Sequence, residues 1–410
     1  MKKIITGIAA VAMAASLFAV DFSATVQVKG DIAYGNVSDG YSKFGLLGVE
    51  NTKQKDADLL EIHFSGDKAG ADFKFWAAVA EPIYYTGAAS DGNVKFGNKD
   101  GDKLNIVSLR ALKVWFQPID AIKISVGNND LGLYTERLNW WKVPTGASVS
   151  EFSSWDGRWA SGAGVHENFG STIEITPIDG LYIAAGAGSD VVSKATDQDV
   201  KVAQWGAVAK YTFSDLGLSI GAAYRDTSTF KLITVGADFA KNSFYGFLQA
   251  KLRLDSDANA YSFNKDNVKL AGITIDNYLS YNFGFMNLQA TLPVTIRGLL
   301  PYNTDAEKKA DPSYMTARIK ASFPIDAITA YVVVGSDEGF NNGPAGSAGK
   351  CVWTFDDTFG DNFNIYVNPG VSFNVGACAL DIGAEFAFQN AADGKGTFYW
   401  AVPFTTKVSF

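Results

Sequence analysis

The sequence contains few of the residues on which catalytic, metal-binding and cross-linked domains depend. Among its 410 residues there are only two cysteines and two histidines, and the formal net charge is −8. Two thiols cannot build a disulfide scaffold, and His63 and His166 lack the spacing of metal ligands. No Gly-x-Ser-x-Gly elbow, phosphate-binding glycine loop or Cys-x-x-Cys pair is present. We therefore expect no enzyme activity and no cofactor, and the acidic balance disfavours nucleic acid as a partner.

Long apolar runs are also missing, except at the N-terminus. Met1-Lys2-Lys3 is basic, residues 4–18 are mostly apolar, and the small residue Ala19 precedes Asp21. This order is typical of a secretory signal peptide, which we expect to cover residues 1–19. No later run reaches the length of a transmembrane helix. If the mature chain lies in a membrane it must form a closed barrel, because only helices and barrels satisfy every backbone polar group in lipid.

The hydrophobic pattern has a period of two, which indicates strands rather than helices. Residues 244–254, 286–297 and 363–375 are clear examples, and such runs are about 9 to 13 residues long. That is near the length of a tilted transmembrane strand, whereas soluble strands average about five or six residues. No linker or composition shift divides the chain. We therefore predict an all-β fold, in which residues 20–410 form one transmembrane, antiparallel up-and-down β-barrel.

The predicted barrel has about eighteen strands, with sixteen as the alternative count. Turns built on Pro-Ile-Asp, at 118–120, 177–179 and 324–326, join several pairs of strands. Longer polar stretches join the other ends, and this asymmetry is typical of outer-membrane barrels with short periplasmic turns and long external loops. The predicted strands are 23–34, 58–65, 71–80, 104–116, 121–130, 170–176, 180–188, 201–213, 216–225, 230–240, 243–254, 269–283, 285–297, 314–323, 327–336, 363–375, 378–389 and 396–410.

The last strand carries the most specific signal. Its apolar and aromatic face consists of Phe398, Trp400, Val402, Phe404, Val408 and Phe410. A terminal aromatic residue preceded by apolar residues at alternate positions resembles the β-signal of bacterial outer-membrane proteins. The mature chain resembles bacterial outer-membrane porins, and its N-terminal part also resembles spirochaetal outer-membrane proteins.

The resemblance implies a location in the bacterial outer membrane, in contact with its lipids. It implies passive diffusion of small hydrophilic solutes or ions, and recognition of the C-terminal strand by the assembly machinery. Porins of this kind are often homotrimers, so a homotrimer is also an expectation here.

The polar faces of the predicted strands describe a charged lumen. The acidic candidates are Asp31, Glu61, Asp238, Asp276, Asp381 and Glu385, and the basic ones include Lys29, Lys123, Lys210 and Arg225. Five further basic residues lie within four consecutive strands, and we predict that they form a pore-lining basic strip: Lys251, Arg253, Arg297, Arg318 and Lys320. A charged interior implies water, and roughly sixteen to eighteen strands leave an aqueous channel.

The longest predicted loop, residues 131–169, is a candidate constriction. General porins, which the chain resembles, fold their third external loop into the lumen. The charged and aromatic residues that would line this constriction are Glu136, Arg137, Trp140, Trp141, Glu151, Trp155, Asp156, Arg158 and Trp159. Their tryptophans would stack on sugar rings, or would only anchor the loop or sit at the membrane interface.

Two other functions remain open at this stage. The barrel could anchor a surface adhesin or antigen through loops 35–57, 131–169 and 337–362, or it could be a channel specific for a sugar or a hydrophobic compound. Cys351 and Cys378 are expected at opposite ends of the barrel, too far apart to form a disulfide within one chain.

Overall fold

The structure is a computed structural model. It describes residues 21–36, 41–44, 59–77, 84–88, 94–97, 107–129, 168–191, 201–226, 231–255, 269–292, 294–296, 314–315, 317–336, 353–354, 364–390 and 396–410. The predicted signal peptide and residues 131–167 of the predicted constriction loop, including all nine residues proposed to line it, lie outside these ranges, whereas residues 168 and 169 belong to a strand.

The described residues are almost entirely β-structure. Twenty-five strand segments are present: β1 (Asp21–Asn36), β2 (Tyr41–Phe44), β3 (Leu59–Ser65), β4 (Ala69–Ala77), β5 (Tyr84–Ala88), β6 (Val94–Gly97), β7 (Val107–Ile119), β8 (Ile122–Asn129), β9 (Asn168–Ile175), β10 (Leu181–Val191), β11 (Lys201–Phe213), β12 (Leu218–Asp226), β13 (Lys231–Lys241), β14 (Phe244–Asp255), β15 (Lys269–Asn282), β16 (Asn287–Thr291), β17 (Val294–Ile296), β18 (Tyr314–Met315), β19 (Ala317–Ile325), β20 (Ile328–Ser336), β21 (Trp353–Thr354), β22 (Asn364–Val375), β23 (Cys378–Gly383), β24 (Glu385–Asn390) and β25 (Gly396–Ser409). One short 3₁₀ turn covers Ser214–Leu216. Within the described ranges, no helix is both long enough and apolar enough to cross a membrane.

These segments form a closed antiparallel barrel of eighteen strands. The first and last segments close it: β1 pairs with β25, where Thr25 lies opposite Ser409, and on its other side with β3. Four barrel strands consist of two segments each, namely β2 with β3, β16 with β17, β18 with β19, and β23 with β24. The predicted fold and strand count are therefore confirmed.

Eight short connections lie at one end of the barrel, which we call the turn end. Asp326, in the last of the three Pro-Ile-Asp turns, has a φ of 53°, and Gly180, which follows the second, has a φ of 80°. Asp and Gly tolerate such left-handed backbone, which explains why they recur there. We call the opposite end, which carries the long connections, the loop end. Two of its connections, residues 227–230 and 391–395, are short.

Two neighbouring turns are joined by an ion pair. The Lys68 ammonium, after β3, hydrogen-bonds to the Asp120 carboxylate, after β7. This hydrogen bond and the attraction of the ammonium charge hold the pKa of Asp120 below its ordinary value. The backbone N–H of Gln117 also donates to the backbone carbonyl of Lys68 at 2.7 Å. The two turns are therefore connected by both backbone and side-chain contacts.

The two faces of the barrel differ in polarity. Along β14, Leu248 is 57% exposed, whereas its neighbours Phe247 and Gln249 are 3% and 1% exposed. The same alternation leaves large apolar side chains on the outside of most strands, as a lipid-facing surface requires. Aromatic rings collect near the turn end, for example Tyr281 and Phe283 at 4.5 Å. Aromatic girdles of this kind mark the membrane–water interface.

Two predicted continuous strands are interrupted: 378–389 divides at Ala384 into β23 and β24, and 285–297 divides near Pro293. Residues 285–297 were expected to form one strand, but β16 ends at Thr291 and β17 begins at Val294, because Pro293 cannot donate to a ladder. Asn277 on β15 covers the gap: its amide donates to the Leu292 carbonyl at 2.5 Å and accepts from the Leu292 N–H at 2.8 Å. A side chain thus replaces the missing backbone pairs.

Candidate functional site

The inner wall of the barrel carries its polar and charged side chains. Because side chains alternate and strands pair in register, the inward positions form rows across the wall. Thr234 on β13 lies opposite Lys251 on β14, and Gln249 lies opposite Asp276 on β15. All four side chains are almost completely shielded from solvent. We call this region, on β13 to β15, the closed wall.

An ion pair holds the closed wall together. Lys251 Nζ lies 2.5 Å from Asp276 Oδ2, and neither side chain is exposed to solvent. Gln249 Nε2 donates to the same carboxylate oxygen at 2.9 Å. Burying an ion pair is tolerated only when partners of this quality are present, so the positive charge of Lys251 is locally neutralised.

The five residues of the predicted basic strip have different surroundings. Lys251 and Arg318 are buried on the inner wall, and Lys320 Nζ lies 4.7 Å from the ring centre of Tyr331. The side chain of Arg253 and the whole of Arg297 lie outside the described residues. The role of the strip in the pore therefore stays a prediction. The structure shows in addition that Asp276 is the counter-ion of Lys251, which the sequence pattern did not indicate.

Tyr331 extends a second inner-wall network across three strands. Its hydroxyl donates to Asp381 Oδ1 at 2.6 Å, and the Ser372 hydroxyl donates to Asp381 Oδ2 at 2.7 Å. The ring of Tyr331 can lie across β22 because the position beneath it is Gly370, where a Cβ would collide with the phenol. Nothing in the sequence pattern pointed to Tyr331, since its contacts depend on which strands are neighbours.

On β3 and β4 the inner wall is more exposed. Glu61 Oε1 lies 2.8 Å from Lys74 Nζ, and His63 Nδ1 lies 2.8 Å from Asp72 Oδ1. These four side chains are 21 to 46% exposed. We call this more exposed region, on β3, β4, β8 and β9, the open wall. His63, whose sequence spacing does not suit a metal ligand, contacts the carboxylate of Asp72 here.

The open wall continues onto β8 and β9. Lys123 Nζ lies 3.8 Å from Glu174 Oε1 and 5.0 Å from the ring centre of Trp115. The Tyr182 hydroxyl donates to the other carboxylate oxygen of Glu174 at 3.0 Å. Charges of both signs therefore alternate along the exposed side of the lumen.

The C-terminal strand presents its predicted apolar face outward. Phe398 is 38% exposed and Phe410 is 71% exposed. The backbone of Phe410 exchanges two hydrogen bonds with Ala24, at 2.8 and 3.1 Å, so the last residue takes part in closing the barrel. Its recognition by assembly machinery stays a prediction. Cys378 is a free, exposed cysteine next to the turn end, and Cys351 lies outside the described residues.

Comparison with known proteins supports the fold. No protein-family model matches the chain, and no curated protein matches it. Among solved structures, OccK11 (OpdR) of Pseudomonas aeruginosa is 9% identical with a TM-score of 0.50, over 95% of this chain and 96% of that chain. OccK1 (OpdK) of the same organism is also 9% identical with a TM-score of 0.50, over 95% and 98%. Likeness at this identity shows the fold alone.

The architecture defines the class of protein. A closed antiparallel barrel with an apolar outer face and a charged inner face satisfies its backbone and side chains in a lipid bilayer. The chain therefore has the architecture of a membrane-spanning β-barrel and is similar in fold to OccK11 and OccK1.

Proposed function

We propose that the barrel is a water-filled channel through which small hydrophilic solutes and ions diffuse passively across the outer membrane. The observation that carries the proposal is the contrast between the two faces of one closed eighteen-strand barrel. Ionised groups on an inner wall require water or polar partners. Barrels of sixteen to eighteen strands are wide enough to hold an aqueous channel.

The exposure of the open wall supports this proposal. The side chains of Glu61 and Lys74 are 21% and 46% exposed although they pair with each other, as expected if water reaches them from the lumen. The chain shares its barrel fold with OccK11 and OccK1, and a barrel with this number of strands leaves an aqueous channel, which favours transport over a purely anchoring role. Export directed by residues 1–19 is part of the same proposal.

Single-channel recording in planar bilayers tests the proposal. Purified, folded protein should insert and produce discrete conductance steps, whereas heat-unfolded protein from the same preparation should not. Folding is checked separately by circular dichroism in detergent, which should report β-structure. Folded protein that inserts into vesicles without any conductance would refute the channel and favour the adhesin alternative.

A further inference from the structure

Four ionisable side chains of the open wall form one series of contacts across β3 and β4. Lys74 Nζ lies 2.8 Å from Glu61 Oε1, and Asp72 Oδ1 lies 2.8 Å from His63 Nδ1. The two pairs meet where His63 Nε2 lies 3.9 Å from Glu61 Oε2. We call these four residues the β3–β4 array. Its order is ammonium, carboxylate, imidazole and carboxylate, so the imidazole lies between two carboxylates.

The contact with Asp72 assigns the proton of a neutral His63 ring. An ionised carboxylate only accepts hydrogen bonds, so Nδ1 must carry the proton in its 2.8 Å contact with Asp72. The lone pair of the neutral ring is then on Nε2, the ring nitrogen near Glu61. A second proton therefore binds at Nε2, next to a carboxylate whose other oxygen already pairs with Lys74.

The neighbouring strands bring two further charges near the array. On β1, Ser23 lies opposite His63, and the nearest charged residue of that strand is Asp21. On β7, Lys113 lies opposite Asp72. Carboxylates ordinarily titrate below pH 5 and lysines above pH 9, so these groups keep their charges near neutral pH. Protonation of the imidazole therefore adds one positive charge to this part of the wall.

Water reaches the array. The side chain of His63 is 38% exposed, and those of its three partners are 21 to 46% exposed. A proton can therefore reach the ring, and the charge of the ring acts on ions in the same water. Imidazole is the side chain that ordinarily changes its charge between pH 5 and 8. Within the described part of the chain, His63 is the only histidine.

From these observations we infer that His63 sets the ion selectivity of the channel according to pH. In acid, the protonated ring balances the second carboxylate of the array, and the open wall attracts anions more strongly. In alkali, the ring is neutral, and the two carboxylates of the array favour cations. This inference rests on the proposed channel and assigns to it a residue that determines its specificity.

Reversal potentials in a potassium chloride gradient across planar bilayers test the inference, when they are measured from about pH 8 to about pH 5. A unit charge about 7 Å from an ion in water changes the energy of the ion by roughly RT, part of which salt screens, so the chloride-to-potassium permeability ratio of wild type should rise about threefold in acid. His63→Gln, which stays neutral, should keep the alkaline ratio throughout. His63→Lys, which stays charged, should keep the acidic ratio throughout.

His166→Gln is the matched control, because His166 is the other histidine of the chain and lies outside the described residues. It should retain the wild-type response to pH. A response that persists in His63→Gln or His63→Lys, or one that disappears in His166→Gln, would overturn the role of His63 and leave the channel intact. Circular dichroism in detergent checks that each variant is folded, and either His63 variant alone decides the question. Absence of conductance from folded wild type would overturn the channel and this inference with it.

Discussion

The open and closed walls use the same residue types in different surroundings. Glu61 and Lys74 form an ion pair whose side chains remain in contact with solvent, whereas Lys251 and Asp276 form one from which solvent is excluded. Water screens the first pair, so it adds little to stability. In the second, each charge depends on the other, because neither can be hydrated. The same residue types are therefore screened by water at the open wall and depend on each other at the closed wall.

The largest expected effect is the loss of one buried charge. Lys251→Met leaves the Asp276 carboxylate buried without its counter-ion and should lower the free energy of unfolding by about 3–5 kcal/mol. Lys74→Met, its counterpart on the open wall, should cost less than about 1 kcal/mol. Urea unfolding in lipid vesicles, followed by tryptophan fluorescence, measures both. Similar losses for the two variants would abolish the distinction between the walls.

Removing both buried charges sharpens the same comparison. Lys251→Met combined with Asp276→Leu removes both charges of the pair. The free energy of unfolding of this double variant should return to the wild-type value or exceed it by about 1–4 kcal/mol, because apolar residues often replace a buried ion pair without loss. A double-mutant cycle from the same urea experiments gives the coupling energy. A double variant as unstable as the two single variants added together would show that the residues do not act as a pair.

Gly370→Ala tests whether the inner wall at β22 is packed as tightly as the closed wall on β13 to β15. The new methyl group would collide with the Tyr331 phenol, and such overpacking should cost about 1–3 kcal/mol. At Gly66 the nearest atom to an added Cβ is 3.4 Å away, so Gly66→Ala is the control in the same unfolding assay. An unchanged free energy of unfolding in Gly370→Ala would mean that Tyr331 can move away from Asp381 without destabilising the barrel.

Charge removal on the open wall should change ion selectivity rather than stability. Lys74→Gln makes this side of the lumen more negative and should shift the reversal potential in a salt gradient toward cation preference. Glu61→Gln should shift it toward anion preference. Both shifts should shrink at high salt, because salt screens exposed charges. If neither variant moves the reversal potential, the open wall does not face the ion path.

The smallest effect is expected outside the membrane, at the Lys68–Asp120 pair. The pKa of Asp120 is lowered in the folded protein, so its contribution to stability is present above the unfolded value of about 3.9. That contribution is lost as the pH falls through the lower, folded value. Urea midpoints measured between neutral and acidic pH should fall less steeply in Lys68→Met than in wild type. Identical pH profiles would mean that the pair contributes nothing in solution.

Much of the fold could be predicted because local patterns decide it. Alternation placed Leu248 outside and Gln249 inside, and the Pro-Ile-Asp repeats marked three of the turns. The break at Pro293 was missed because alternation continues through it, and only the backbone donor is absent. The candidate constriction loop stays a prediction, since residues 131–167 lie outside the described ranges.

The amino-acid sequence by itself determined that this protein is a long-stranded barrel with an apolar and a charged face. A period of two and the lengths of the runs are properties of single strands, so they can be read without knowing which strands meet. Only the tertiary structure decided which charges are neighbours. Lys251 and Asp276 are 25 residues apart, and the register of β14 against β15 brings them to 2.5 Å. The hydrogen bond between Tyr331 and Asp381 arises in the same way, because register and closure are cooperative properties of the whole barrel.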